Sequence, residues 1–244
     1  MFGLDHNIAA FSDGTTVLIV VAVAVLLGLR HASDPDHVAA VTTLVASSRE
    51  RASRCAGRLG FVWGLGHATT LFLFGIPVVL YGAYLPQPVQ SAAETTVGFV
   101  IVALAALLLV RWHRGLYRDA LHDHGDETHT HVHSRARAHA HARTRSARQA
   151  YAIGLVHGLG GTAGVGLLLL ATIKSPILAV AALALFAFFT AVSMALLSTG
   201  WGVALGSAPV RRSFHRLAPA LGVTSLAFGA WYALGAQGVV PYVF

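Results

Sequence analysis

The stretch Leu26–Val41, LLGLRHASDPDHVAAV, decides how this chain folds. It sets Arg30, His31, Asp34, Asp36 and His37 between an apolar run from Val17 to Leu29 and a second from Val38 to Val45. A charged group at membrane depth costs ~2.5–3.5 kcal/mol on insertion scales, so such groups face a cavity or pair with one another. Two imidazoles and two carboxylates so close together make the mixed nitrogen and oxygen set that suits divalent nickel, cobalt and zinc. Pro35 has no N–H for the His31 carbonyl and disfavours helical dihedrals at Asp34. The helix is therefore expected to break here and to leave carbonyl oxygens beside the side-chain ligands, as discontinuous helices do at ion sites. In an unbroken helix His31 and His37 lie about 240° apart, so one ion meets both only if the chain folds back. The competing reading is a structural ion-pair cluster of Arg30, Asp34 and Asp36 with hydrogen-bonded histidines.

Composition places the stretch in a membrane. The 244 residues are 55% hydrophobic and only 11% charged, with a mean hydropathy of +0.65. These values exclude an ordinary soluble domain and imply an all-α, polytopic transmembrane helix bundle. The net charge of +7 does not indicate nucleic acid, because the basic residues gather in three short connectors, the pattern of cytoplasmic loops. Those connectors hold Arg49, Arg51, Arg54 and Arg58; eight arginines from Arg111 to Arg148; and Arg211, Arg212 and Arg216. A single cysteine, Cys55, excludes a disulfide framework or a multi-thiolate zinc site. The amino terminus has no basic residue before the first apolar run, which argues against a cleaved secretory signal.

In chain order, residues 1–14 read as a short solvated end, with His6 on the surface. A first segment over 15–48 would reach ~51 Å as a straight helix, beyond a ~30 Å hydrocarbon core, and so must break or re-enter. Further segments follow at 59–84, 92–112, 150–173, 178–205 and 217–235. The third has Glu94 at its outer margin. The simplest topology has six crossings with both termini outside; it becomes seven if the halves of the first segment count separately. The whole of 1–244 reads as a single transmembrane permease domain.

The connector 113–149 reads as a mobile, His-rich cytoplasmic loop. His122, His124, His129, His131, His133, His139 and His141 make it an accessory metal-binding tract of low selectivity. A solvated basic linker is the alternative.

The pattern Gly-Leu-x-His occurs at Gly28–His31, Gly64–His67 and Gly154–His157. Its first and third copies open two three-segment halves, which an odd number of crossings would invert relative to each other; chance competes with this in so short a pattern. His67 and His157 lie roughly 10–12 Å inside their cytoplasmic boundaries, a level His31 also approaches. Thr69 and Thr70 bond to carbonyls or line a path, and the glycines of 154–164 suit tight packing or an unwound stretch.

The first motif, His31-x4-Asp36-His37, resembles the signature of the nickel/cobalt transporter family, and Leu65-Gly66-His67-Ala68-Thr69-Thr70 is similar to that family's second motif. His157-Gly158-Leu159-Gly160-Gly161-Thr162-Ala163 looks like the shorter, urease-associated nickel-permease members. Pro35 replaces a more usual alanine. The resemblance implies a secondary transporter that moves Ni2+ or Co2+ across the cytoplasmic membrane, with no enzymatic activity and no prosthetic group. Its implied partners are the metal ion, the lipid bilayer and a nickel-enzyme pathway such as urease; homo-oligomerisation stays open.

The expected metal residues are His31, Asp34, Asp36, His37, His67 and His157. Neutral imidazoles at His31 and His37 supply nitrogen, Asp36 and also Asp34 balance charge, and His67 and His157 complete the site or hand the ion on. Binding through neutral imidazole should weaken as pH falls through about 6.5. No G-x4-GK[ST] phosphate loop and no H-E-x-x-H metallohydrolase motif is present. Metal efflux, and a membrane-anchored sensor or storage protein built on the His-rich loop, are the alternatives.

Overall fold

Long apolar stretches, interrupted at few points by proline and glycine, produce a chain of helices. The computed structural model describes residues 2–46, 53–82, 86–115, 146–158, 160 and 163–241, and no strand occurs among them. The helices are α1 (Phe2–His31), α2 (Pro35–Ala46), α3 (Ser53–Tyr81), α4 (Gln87–His113), α5 (Ala147–His157), α6 (Ala163–Ala171), α7 (Pro176–Gly206) and α8 (Ala208–Ala236). Four of them, α3, α4, α7 and α8, contain spans long and apolar enough to cross a membrane. Val17–His31 with Pro35–Ala46 forms a fifth, broken candidate bent by 49°. This is an all-helical, multi-pass membrane protein.

α1 is helical from Phe2, so residues 2–14 continue into the first apolar run. One expectation is modified. The stretch 150–173 is not one helix but two, of 11 and 9 residues. At ~1.5 Å per residue neither spans the hydrocarbon core alone. Glycines at 158, 160 and 161 follow His157 directly, where the helical state is least favoured. His122, His124, His129, His131, His133, His139 and His141 lie outside the described residues.

The break after α1 follows from Pro35, which occupies the first position of α2, where a missing N–H costs nothing. The carbonyls freed at the end of α1 find local donors. Asp34 N–H reaches the His31 oxygen at 3.2 Å, and Ser33 meets the Arg30 oxygen through its N–H at 2.9 Å and its hydroxyl at 2.5 Å. The Ser193 hydroxyl of α7 donates to the Leu29 oxygen at 2.7 Å. These carbonyls, expected beside the ligands, are thus engaged by protein donors, and the centre described below is built from side chains.

Each half of the chain is a broken helix followed by two long ones, and the halves interlock. α3 crosses α7, α4 crosses α8, α1 packs on α7, and α5 packs on α3. The recurring Gly-Leu-x-His pattern has a packing basis. A methyl group at Gly154 would lie 2.0 Å from the Trp63 carbonyl oxygen, and one at Gly28 would lie 2.6 Å from that of Phe186. A glycine one turn before the histidine thus brings each broken helix into backbone contact with a long one. The Thr70 hydroxyl fastens the α3–α5 contact by donating to the Leu155 oxygen at 2.8 Å. Between α4 and α8 the bond is of another kind. Pro219 cannot donate to the His215 carbonyl four residues back, and the Trp112 indole N–H takes that place at 2.7 Å.

Gly154→Ala is expected to force α5 away from α3 and to cost about 1–3 kcal/mol. Thermal unfolding of the detergent-purified protein should show a midpoint lowered by several degrees. An unchanged midpoint would mean that the two backbones are not in contact there.

Candidate metal centre

Four imidazoles reach one level from four helices. His31 is the last residue of α1, His37 the third of α2, His67 sits mid-way along α3, and His157 is the last of α5. His37, His67 and His157 are fully buried, and His31, Asp34 and Asp36 are at most 5% exposed. Both broken helices therefore end on a histidine at the point of interruption. Asp36 lies in the first turn of α2, where the helix dipole favours a carboxylate.

The contacts form a chain. His31 Nε2 is 3.0 Å from His67 Nε2. The His31 and His37 rings are 4.7 Å apart between centroids, as are those of His37 and His157. The two carboxylates hold the outer sides of this chain. Asp34 Oδ2 is 3.0 Å from His31 Nδ1 and Asp36 Oδ1 is 3.1 Å from His37 Nδ1. The second Asp36 oxygen lies 3.3 Å from His157 Nε2. A proton held between Nδ1 and a carboxylate leaves Nε2 with its lone pair directed inward, the arrangement found where carboxylates orient metal-binding histidines.

Two groups present ligand atoms within 4.8 Å of one another: His31 with His37 and His67, and Asp36 with His37 and His157. His37 belongs to both. Two nitrogens each ~2.1 Å from one metal lie ~3.0 Å apart at a right angle and ~3.4 Å apart at the tetrahedral angle; His31 Nε2 and His67 Nε2, hydrogen-bonded at 3.0 Å, are already close to that spacing. Buried polar atoms without a hydrogen-bond partner collect here, among them Asp36 Oδ2, His37 Nε2, His67 Nδ1 and both ring nitrogens of His157. Such atoms are rare in folded proteins and mark places where an ion or water binds.

Of the residues singled out in the sequence, His31, Asp36, His37, His67 and His157 stand in these groups. Asp34 belongs to neither; its carboxylate touches His31 from behind. Glu94 is buried on α4, where Gln90 donates to it at 3.0 Å, and it is outside the cluster. Two aromatic residues escaped notice. The Trp63 ring packs 5.7 Å from His37 and 5.4 Å from His157, and the Phe186 ring 5.6 Å from His31. Trp63 precedes His67 by four residues and so shares its face of α3, which was the available signal. A cavity of about 460 Å³ touches the break at Ser33 and Pro35 and runs along Val38, Ala39 and Thr42, the face of α2 opposite His37.

Comparison with known proteins bears on what this centre binds. Residues 17–211 match the model of a family described as high-affinity nickel-transport protein. The chain is 29% identical over 166 residues to the urease accessory protein UreH of Bacillus sp. (strain TB-90), which covers 66% of this chain and 67% of that protein. It is 33% identical over 115 residues to the nickel transporter NixA of Staphylococcus aureus (strain NCTC 8325 / PS 47), covering 44% of this chain and 31% of the relative. A high-affinity nickel transport protein of Cupriavidus necator (strain ATCC 17699 / DSM 428 / KCTC 22496 / NCIMB 10442 / H16 / Stanier 337) is 31% identical over 103 residues, covering 42% of this chain and 28% of the relative. The chain thus spans only about three tenths of the two transporters by name. No solved structure matches.

Asp34→Asn keeps the shape of the side chain and removes its charge from the back of His31. Nickel binding to the purified variant, followed by calorimetry, is expected to weaken about 10- to 100-fold. Wild-type affinity would assign Asp34 no part in orienting the imidazole.

Proposed function

This chain belongs to the high-affinity nickel-transport protein family, and we propose that it is a secondary transporter carrying Ni2+, and Co2+ through the same ligands, across the cytoplasmic membrane. The observation that carries this reading is the buried approach of His31 Nε2 to His67 Nε2 at 3.0 Å, within one cluster that also contains His37, Asp36 and His157.

Charge balance favours a divalent ion. Four neutral imidazoles with two ionised carboxylates, Asp34 and Asp36, carry a net charge of −2, which a divalent cation neutralises. Away from water an unbalanced charge is strongly disfavoured. The two ligand groups that share His37 give the ion a route, from His31, His37 and His67 to Asp36, His37 and His157, by exchanging ligands around one imidazole. This stepwise exchange keeps the cation coordinated at membrane depth.

Topology supports the same reading. Counting α1–α2 and α5–α6 as one crossing each, with α3, α4, α7 and α8, gives six. Arg54 and Arg58 at the start of α3, Arg111 and Arg114 at the end of α4, Arg148 at the start of α5 and Arg216 early in α8 then share one face, the cytoplasmic one. The sequence has no phosphate loop, so ATP would have to be bound by another subunit. Similarity to a urease accessory protein favours import that supplies a nickel enzyme over efflux. The His-rich tract from His122 to His141 collects metal at the cytoplasmic exit and is dispensable for transport itself.

His37→Ala removes the imidazole common to both ligand groups. Cells expressing it should accumulate no more 63Ni than cells without the protein, while membrane fractions contain normal amounts of it; wild-type accumulation would eliminate this site. Deletion of residues 122–141 is expected to retain most of the nickel flux. A complete loss would instead favour a sensor or storage protein centred on the loop.

A further inference from the structure

Around the cluster, the unpartnered buried atoms are of two chemical kinds. Asp36 Oδ2 and His37 Nε2 present lone pairs that a cation accounts for, whereas the neutral rings of His67 and His157 each offer one lone pair and one N–H. The indole Nε1 of Trp63 is also buried without a partner, and it is a donor only. Trp63 is 0% exposed, and its ring lies against both His37 and His157. A buried N–H left unpaired costs about 1–3 kcal/mol. On the other side of the cluster, His31 faces the phenyl ring of Phe186, which has no such group.

We propose that Trp63 donates its indole N–H to an oxygen ligand, a water or hydroxide, that the ion retains on the Asp36–His37–His157 side. The cation is then bound partly hydrated and not stripped to protein atoms alone. The inference rests on the nickel-transport reading and deepens it by naming a ligand: Asp36, His37 and His157 offer three protein atoms on that side, and the held oxygen is a fourth. Trp63 is a positioning residue here: it acts on the ion through the oxygen.

Trp63→Phe keeps an aromatic ring and removes the donor. Nickel binding by calorimetry, with X-ray absorption at the nickel edge, should be compared for the purified wild type, W63F and H37A. The wild-type first shell should contain one more oxygen or nitrogen atom than imidazole and carboxylate supply. W63F should lose that atom and bind Ni2+ about 10- to 100-fold more weakly. Unchanged nickel affinity and an unchanged shell in W63F would overturn the proposal. So would a wild-type shell made of imidazole and carboxylate alone, a reading independent of whether W63F folds. Loss of binding in H37A together with wild-type behaviour of W63F discards the role of Trp63 and keeps the site. Wild-type binding in H37A discards the site itself.

Discussion

The missing N–H of Pro35 is the constraint on which the rest of the structure depends. It ends α1 at His31 and starts α2 afresh, with a bend of 49° between them. In a straight helix His31 and His37 point about 240° apart, but across the break their rings are 4.7 Å from each other. One residue thus converts a linear motif into a two-ligand corner. The carbonyls freed by the break bond to Ser33, Asp34 and Ser193, so imidazole and carboxylate side chains face the interior of the corner.

The second constraint is distance of approach. Two further histidines arrive from α3 and α5, and neither helix reaches the centre unless backbones nearly touch. The glycine one turn ahead of each histidine in the Gly-Leu-x-His pattern permits this. At the tightest of these contacts, Gly154 on Trp63, the Trp63 ring also lies against both His37 and His157. The rings sit where two apolar clusters meet, one containing Trp63 and Ile101, the other Phe186 and Leu71. Packing on both sides limits imidazole rotation, which matters for a site whose ligands must be positioned before the ion arrives.

Local chemistry was the part of the fold legible in the sequence. Apolar runs marked the helices, Pro35 marked the break, and the spacing of His31, Asp36 and His37 marked one wall of the centre. Tertiary distances were not legible. Nothing in the chain states that His67 lies 3.0 Å from His31, because that depends on how α1 and α3 each pack on α7. The interruption after His157 was ambiguous, since glycine serves close packing and helix ends equally well. Asp34 reads in the sequence as a metal residue that balances charge, and a carboxylate three residues after a histidine looks the same as ligand or as support; its oxygen lies 3.0 Å from His31 Nδ1. Trp63 was passed over because an aromatic residue in an apolar helix reads as core, and it is core on one edge.

The central claim is that one buried cluster coordinates the transported ion, and anomalous diffraction from nickel-loaded crystals at the nickel edge tests it most directly. The account predicts a strong peak about 2 Å from imidazole nitrogens of the His31, His37, His67 and His157 cluster. Anomalous density confined to other histidines, with none inside this cluster, would contradict it.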